Sequence, residues 1–136
     1  FPIHGEEIGK GPSNILPFLA QMLSDRPDVT YLVQELENNW HPKYQSKIIK
    51  LIIENIKNSK ENKTYILETH SELFVLQVKK LVQQGLISHK DVSINFIKRL
   101  DNGQSTIINL PLNDLGGFEK EWPGGFFSER MEILTS

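Results

Sequence analysis

Two short apolar runs with one long amphipathic stretch between them constrain this chain more than any other feature. Val29-Thr30-Tyr31-Leu32-Val33 and Thr64-Tyr65-Ile66-Leu67 are β-branched and aromatic, and each reads as a short buried strand. Between them Ile48, Ile49, Leu51, Ile52, Ile53 and Ile56 recur at helical spacing, with lysines on the other side. That pattern predicts a helix over about 42–58, with Pro42 at its first position. Strand, helix and strand in succession form a crossover unit, and a crossover leaves its strands parallel.

Both runs stop at hydrogen-bonding chemistry. The first ends in Gln34-Glu35-Leu36-Glu37-Asn38-Asn39, the second in Glu68-Thr69-His70-Ser71-Glu72. Ligands of open α/β sheets collect at the carboxyl ends of strands, so clusters after parallel neighbours converge on one edge. Glu35 and Glu37 are candidates to hold a divalent ion through water or to orient an attacking water. A solvated turn is the plain alternative. His70 suits hydrogen bonding to a developing phosphate charge, or acid–base work. Its loop has a structural reading too, with Thr69 or Ser71 capping a helix and Glu72 near the positive end. His41, before Pro42, reads as a packed or capping residue. A metal site from Glu35, Glu37, His41 and His70 defines a third reading, a stand-alone hydrolase, although no tight ligand spacing supports it.

Elsewhere, Ser13 is expected to cap a first helix carrying Ile15, Leu16, Leu19, Met22 and Leu23, with Pro17 near its first turn. Gly9-Lys10-Gly11-Pro12-Ser13 opens that helix, and glycines there let backbone N–H groups approach an anion. Asp25-Arg26-Pro27-Asp28 turns the chain. A third helix runs over about 72–84, with Gly85 at C′. Residues 92–97 alternate as a strand, and Asp101-Asn102-Gly103 returns them into 106–110 as a hairpin at the sheet edge. Residues 111–136 form an aromatic and glycine-rich tail containing Phe118, Trp122, Phe126 and Phe127. Its aromatics are expected to cover the sheet edge or pack on the third helix.

At 136 residues, 38% apolar and 24% charged, the chain is one soluble globular domain's worth. A formal charge of -2 makes no general case for nucleic acid or membrane binding. The absence of cysteine excludes disulfides, thiolate nucleophiles and Cys-based zinc sites, and fits a cytoplasmic protein. No apolar run approaches the ~20 residues of a membrane helix, and no signal peptide is present. The opening FPIHGEEIGKG, without an initiating Met, reads as the start of an excised or processed piece. No Gly-x-x-x-x-Gly-Lys followed by Ser or Thr occurs, so the chain carries no P-loop of its own.

The order of these segments resembles the C-terminal half of an ABC-type ATPase head. It is most similar to predicted ATPases related to the OLD (overcoming lysogenization defect) family that end in an uncharacterised C-terminal domain. IGKGPSNILPFLAQML resembles their signature segment, YLVQELENNWHPKYQSKI the Walker B strand and the segment after it, ETHSE the switch-histidine motif, and WPGGFFSE the Trp-Pro-Gly-Phe-Phe tail motif. The resemblance implies an α/β fold, the C-terminal half of a P-loop NTPase with a mostly parallel sheet flanked by helices and a hairpin edge. Residues 1–110 then belong to the ATPase head and 111–136 to the tail. Gly9, Gly11 and Ser13 would contact the γ-phosphate of a nucleotide held by the opposite subunit. Glu35 would be the water-orienting base and His70 the γ-phosphate sensor. Gln34 and Glu37 would stand at the magnesium side, Gln34 replacing the usual acid. Leu36 and Asn39 also depart from the pattern, where Pro and His are usual. The implied cofactors are ATP and magnesium. The implied partners are a missing N-terminal P-loop half, a second copy in a dimer, and DNA or a nuclease or other effector. The alternative is a degenerate, ATPase-like interaction module without hydrolysis.

Overall fold

The structure, a computed structural model, describes residues 10–24, 26–38, 40–60 and 62–123, with residues 10–14 described by backbone alone. Helix α1 (Lys10–Met22) leads to strand β1 (Val29–Gln34), helix α2 (Pro42–Asn58), strand β2 (Lys63–Glu68) and helix α3 (Glu72–Gln83). A 3-10 turn over His89–Asp91 precedes strands β3 (Asn95–Arg99) and β4 (Ser105–Asn109). These elements form two compact units, Phe1–Gln77 and Val78–Ser136, and the division falls inside α3. The expected grouping into 1–110 and 111–136 follows a different line.

In the first unit β1 and β2 pair in parallel, from Val29 beside Lys63 to Gln34 beside Glu68. The crossover helix α2 buries Ile48, Ile49, Ile52 and Ile53. Leu51, expected on that face, is exposed. His41 caps α2, its Nδ1 accepting from the Lys43 N–H at 3.2 Å, and Pro42 follows where a missing donor costs nothing. One sheet face carries Tyr31 and Tyr65, stacked with ring centroids 4.7 Å apart. Phe18 of α1 meets both rings edge-on. Asn55 of α2 ties three elements together: its Nδ2 donates to the Met22 carbonyl, and its Oδ1 accepts from Tyr65 Oη and Lys63 Nζ.

Two expectations change here. The strands alternate rather than being buried throughout, and Leu32 and Ile66, register partners, stand 76% and 56% exposed on the other face. Helix α1 begins at Lys10, so Ser13 lies inside it rather than capping it. Pro17 is therefore interior and has no N–H to offer the Ser13 carbonyl.

In the second unit Gly85 (φ +66°) ends α3: Leu86 N–H donates to Leu81 O and Gly85 N–H to Val82 O, a Schellman closure. Among the described residues β3 and β4 pair antiparallel as a two-stranded sheet of their own, where the hairpin was expected at the edge of a larger sheet. Its loop is tight, with Gly103 N–H donating to Leu100 O and Gly103 at φ +82°. The first hairpin strand starts and ends later than its alternation suggested, because pairing is counted outward from this loop. Trp122 packs edge-on against Phe96 of β3 and Phe118, and Lys79 of α3 lies over the Phe118 ring at 4.4 Å. Phe126 and Phe127 lie outside the described residues. No helix among the described residues is long and apolar enough to cross a membrane.

Candidate functional site

The parallel register carries the two polar clusters to the same end of the sheet. Glu35 extends the ladder by one bond, its N–H donating to Glu68 O at 2.9 Å, and then turns into the left-handed region at φ +47°. A residue with a Cβ pays steric strain there. A tight turn holds it: Asn38 N–H donates to Glu35 O at 3.0 Å, and Asn38 Nδ2 donates to Glu35 Oε2. The turn aims Glu35 Oε1 at His70, whose Nε2 is 3.6 Å away. Both side chains are exposed, 45% for Glu35 and 76% for His70, so the pair adds little stability. What it offers is a carboxylate and an imidazole side by side, facing outward.

The second carboxylate of the turn faces inward. Glu37 is only 9% exposed. Its Oε1 accepts from Thr69 Oγ1 and from the His70 N–H, both at 2.7 Å. Thr69 Oγ1 in turn accepts from the Ser71 N–H at 2.9 Å, while Ser71 Oγ donates to Gln45 Oε1 at 2.7 Å. Thr69 therefore serves the start of α3, and the Ser71 hydroxyl is spent on α2. Glu37 Oε2 and Trp40 Nε1 are sealed from solvent without a hydrogen-bond partner among the described residues. Each such group costs about 1–3 kcal/mol.

Gln34 Nε2 donates to Glu68 Oε2 at 2.8 Å. A carboxylate thus stands beside the Gln34 amide. An open depression of about 390 Å³ is lined by Gln34, Glu35, Leu36, Asn38 and Glu68. A second, of about 610 Å³, is lined by Glu37, Asn38, Trp40, Gln45, His70, Ser71 and Leu73.

Of the expected site residues, Glu35, His70 and Gln34 gather at this end, while Glu37 is turned toward the His70 backbone. Gly9 lies outside the described residues; Gly11 and Ser13 lie in the first turn of α1, described by backbone alone. Sequence reasoning passed over Glu68, Thr69 as a partner of Glu37, and Asn38. Aligning the two polar stops would have found Glu68, since equal strand lengths put it beside Gln34. Magnesium fits this edge only loosely. Among the described residues no three His, Cys, Asp or Glu side chains gather closely enough to hold a metal. The donors are Glu35, Glu68 and the Gln34 amide, a set suited to an ion that keeps its waters and binds mainly through nucleotide phosphates.

A parallel strand pair with its polar residues at the carboxyl ends, joined by a crossover helix, is a mixed α/β arrangement compatible with part of a P-loop ATPase-like fold. Residues 1–76 match the family described as "AAA domain, putative AbiEii toxin, Type IV TA system". The chain belongs to that AAA family, which places it among nucleotide-binding, ATPase-like proteins with ATP and magnesium as their general cofactors. Residues 87–134 match the family described as "Protein of unknown function (DUF3696)". No curated protein and no solved structure matches the chain.

Proposed function

We propose that this chain is the carboxyl-terminal portion of an ABC-type, OLD-like ATPase head that closes with a second copy around nucleotide and switches a DNA-linked or effector partner. The observation that carries the reading is the 3.6 Å approach of Glu35 to His70 at the carboxyl ends of two parallel strands. Glu35 orients the attacking water and accepts its proton. His70 donates a hydrogen bond to the phosphoryl oxygen on which charge develops. Gln34 holds a metal-bound water by its amide oxygen, with Glu68 supplying the negative charge that Gln34 lacks. Bound magnesium would neutralise phosphate charge. Gly9, Gly11 and Ser13 are assigned, by the resemblance of their segment to the signature motif, to contact with the γ-phosphate of the partner's nucleotide. A P-loop outside this sequence completes the site, and the Trp-Pro-Gly tail belongs to the same subgroup.

The test uses the intact ATPase with its P-loop. Glu35→Gln and His70→Ala are each expected to lower kcat about 100-fold. Equal turnover in wild type and both variants rejects the assigned roles. The 136-residue chain alone is expected not to hydrolyse ATP, and metal-dependent turnover by it rejects the divided site. Gln34, an amide hydrogen-bonded to Glu68 where the resemblance expects an acid, favours one second reading, a degenerate head that binds but does not hydrolyse; tight ATP binding without turnover in the intact protein selects it.

A further inference from the structure

We infer that Glu37 is a positioning residue that locks the His70 loop to the Glu35 turn, rather than a metal ligand. The inference rests on the proposed role of His70 as the phosphate-facing group.

Glu35 and Glu37 belong to one turn, closed by Asn38 N–H donating to Glu35 O and Trp40 N–H donating to Glu37 O at 3.1 Å. From that turn both carboxylates reach His70 by different routes. Glu35 meets the imidazole from outside, and Glu37 holds the main-chain N–H from inside. Glu37 Oε1 also takes the Thr69 hydroxyl, whose oxygen is already fixed by the Ser71 N–H. Three consecutive residues, Thr69, His70 and Ser71, are thereby referred to one buried carboxylate. His70 is 76% exposed, so little side-chain packing holds it. Its position is set by its backbone, and its backbone is set by Glu37. The sealed, unpartnered Oε2 belongs to the same picture, since a solvent-inaccessible oxygen cannot serve an incoming metal without rearrangement of the turn. A placement error of about 1 Å at a catalytic group costs up to 100-fold in rate. A tether of this kind is therefore worth having where no packing does its work.

Two measurements test it. The first is amide hydrogen exchange on the chain itself, which needs no turnover. Glu37→Ala is expected to speed exchange of the His70 N–H about tenfold, the scale of one hydrogen bond, while Ile48–Ile53 amides of α2 stay protected. Glu37→Asp, one methylene shorter, is expected to behave as Ala does. Glu37→Gln, which keeps the accepting oxygen, is expected to retain protection. Unchanged exchange in the Ala and Asp variants overturns the proposal. So does loss of protection throughout α2 in every variant, since that marks a general stability role.

The second measurement is turnover by the intact ATPase. Glu37→Ala is expected to lower kcat about 100-fold with KM for ATP within about threefold, and Glu37→Gln to recover most of it. Combined with His70→Ala, Glu37→Ala should add no further loss; additive losses overturn the tether. If His70→Ala alone leaves turnover unchanged while exchange behaves as expected, the catalytic role of His70 fails and the tether stands.

Discussion

Glu35 holds its backbone at φ +47°, where the Cβ crowds the neighbouring carbonyl at a cost of about 1–2 kcal/mol. Its exposed 3.6 Å contact with His70 returns little of that. Glu35→Gly is therefore expected to leave the chain as stable as wild type or up to about 1 kcal/mol more stable, read from urea midpoints. A loss above about 1 kcal/mol would mean that the side chain's contacts outweigh the strain. Strain kept at the proposed base, where a glycine would relieve it, is the usual mark of function taking precedence over stability. A second residue-scale expectation concerns Tyr65. Burial first, and the neighbouring Tyr31 second, push its phenol from 10.0 up to about 12. The unfolded chain then releases this proton at lower pH than the fold does. The contribution is complete below pH 10 and is lost as pH rises toward 12. Tyr65→Phe should flatten the fall of the unfolding midpoint across that window, beyond whatever is lost with the Asn55 bond. An unaltered slope would assign the fall to other groups.

Elements differ in how much of themselves they declare. Helix α2 was legible from end to end, because Pro42, the isoleucine spacing and the lysines all act within a few residues. Gly85 was legible for the same reason, since a C′ residue in the left-handed region is a local need. The start of α1 was not. A good capping residue is only a local preference, and a helix whose Ile15 and Met22 are buried downstream can run past it. Gly116 (φ +71°) shows a need that no local pattern announces, because a Cβ there would collide with the Lys79 carbonyl of α3. Gly116→Ala is expected to cost roughly 2–4 kcal/mol, conformational strain plus overpacking. Gly85→Ala, with nothing within 4 Å of the added Cβ, should cost only about 1 kcal/mol. Equal losses in thermal melts of the two variants would sink the close-approach argument.

For the whole molecule the telling feature is the bare side of β1–β2. Parallel sheets are ordinarily covered on both faces, whereas here Leu32 and Ile66 lie together in the open. Each would gain about 1.5–3 kcal/mol on full burial. The chain on its own is expected to self-associate with rising concentration, measured by light scattering on size-exclusion fractions. A Leu32→Lys, Ile66→Lys variant should stay monomeric, with its stability changed by no more than about 0.5 kcal/mol. A wild-type chain that stays monomeric at every concentration would remove this face as a sticky surface.

Local chemistry in the sequence determined the crossover unit, its parallel sense, the caps at His41 and Gly85, and the presence of polar clusters at both strand ends. Periodicity, capping and turn preferences act over a few residues and can be read from neighbours alone. Tertiary structure decided which atoms of those clusters meet. Register put Glu68 beside Gln34, a left-handed residue aimed Glu35 at the His70 ring, and burial turned Glu37 onto the His70 backbone. Those outcomes depend on distances between residues more than thirty positions apart. No local pattern contains them.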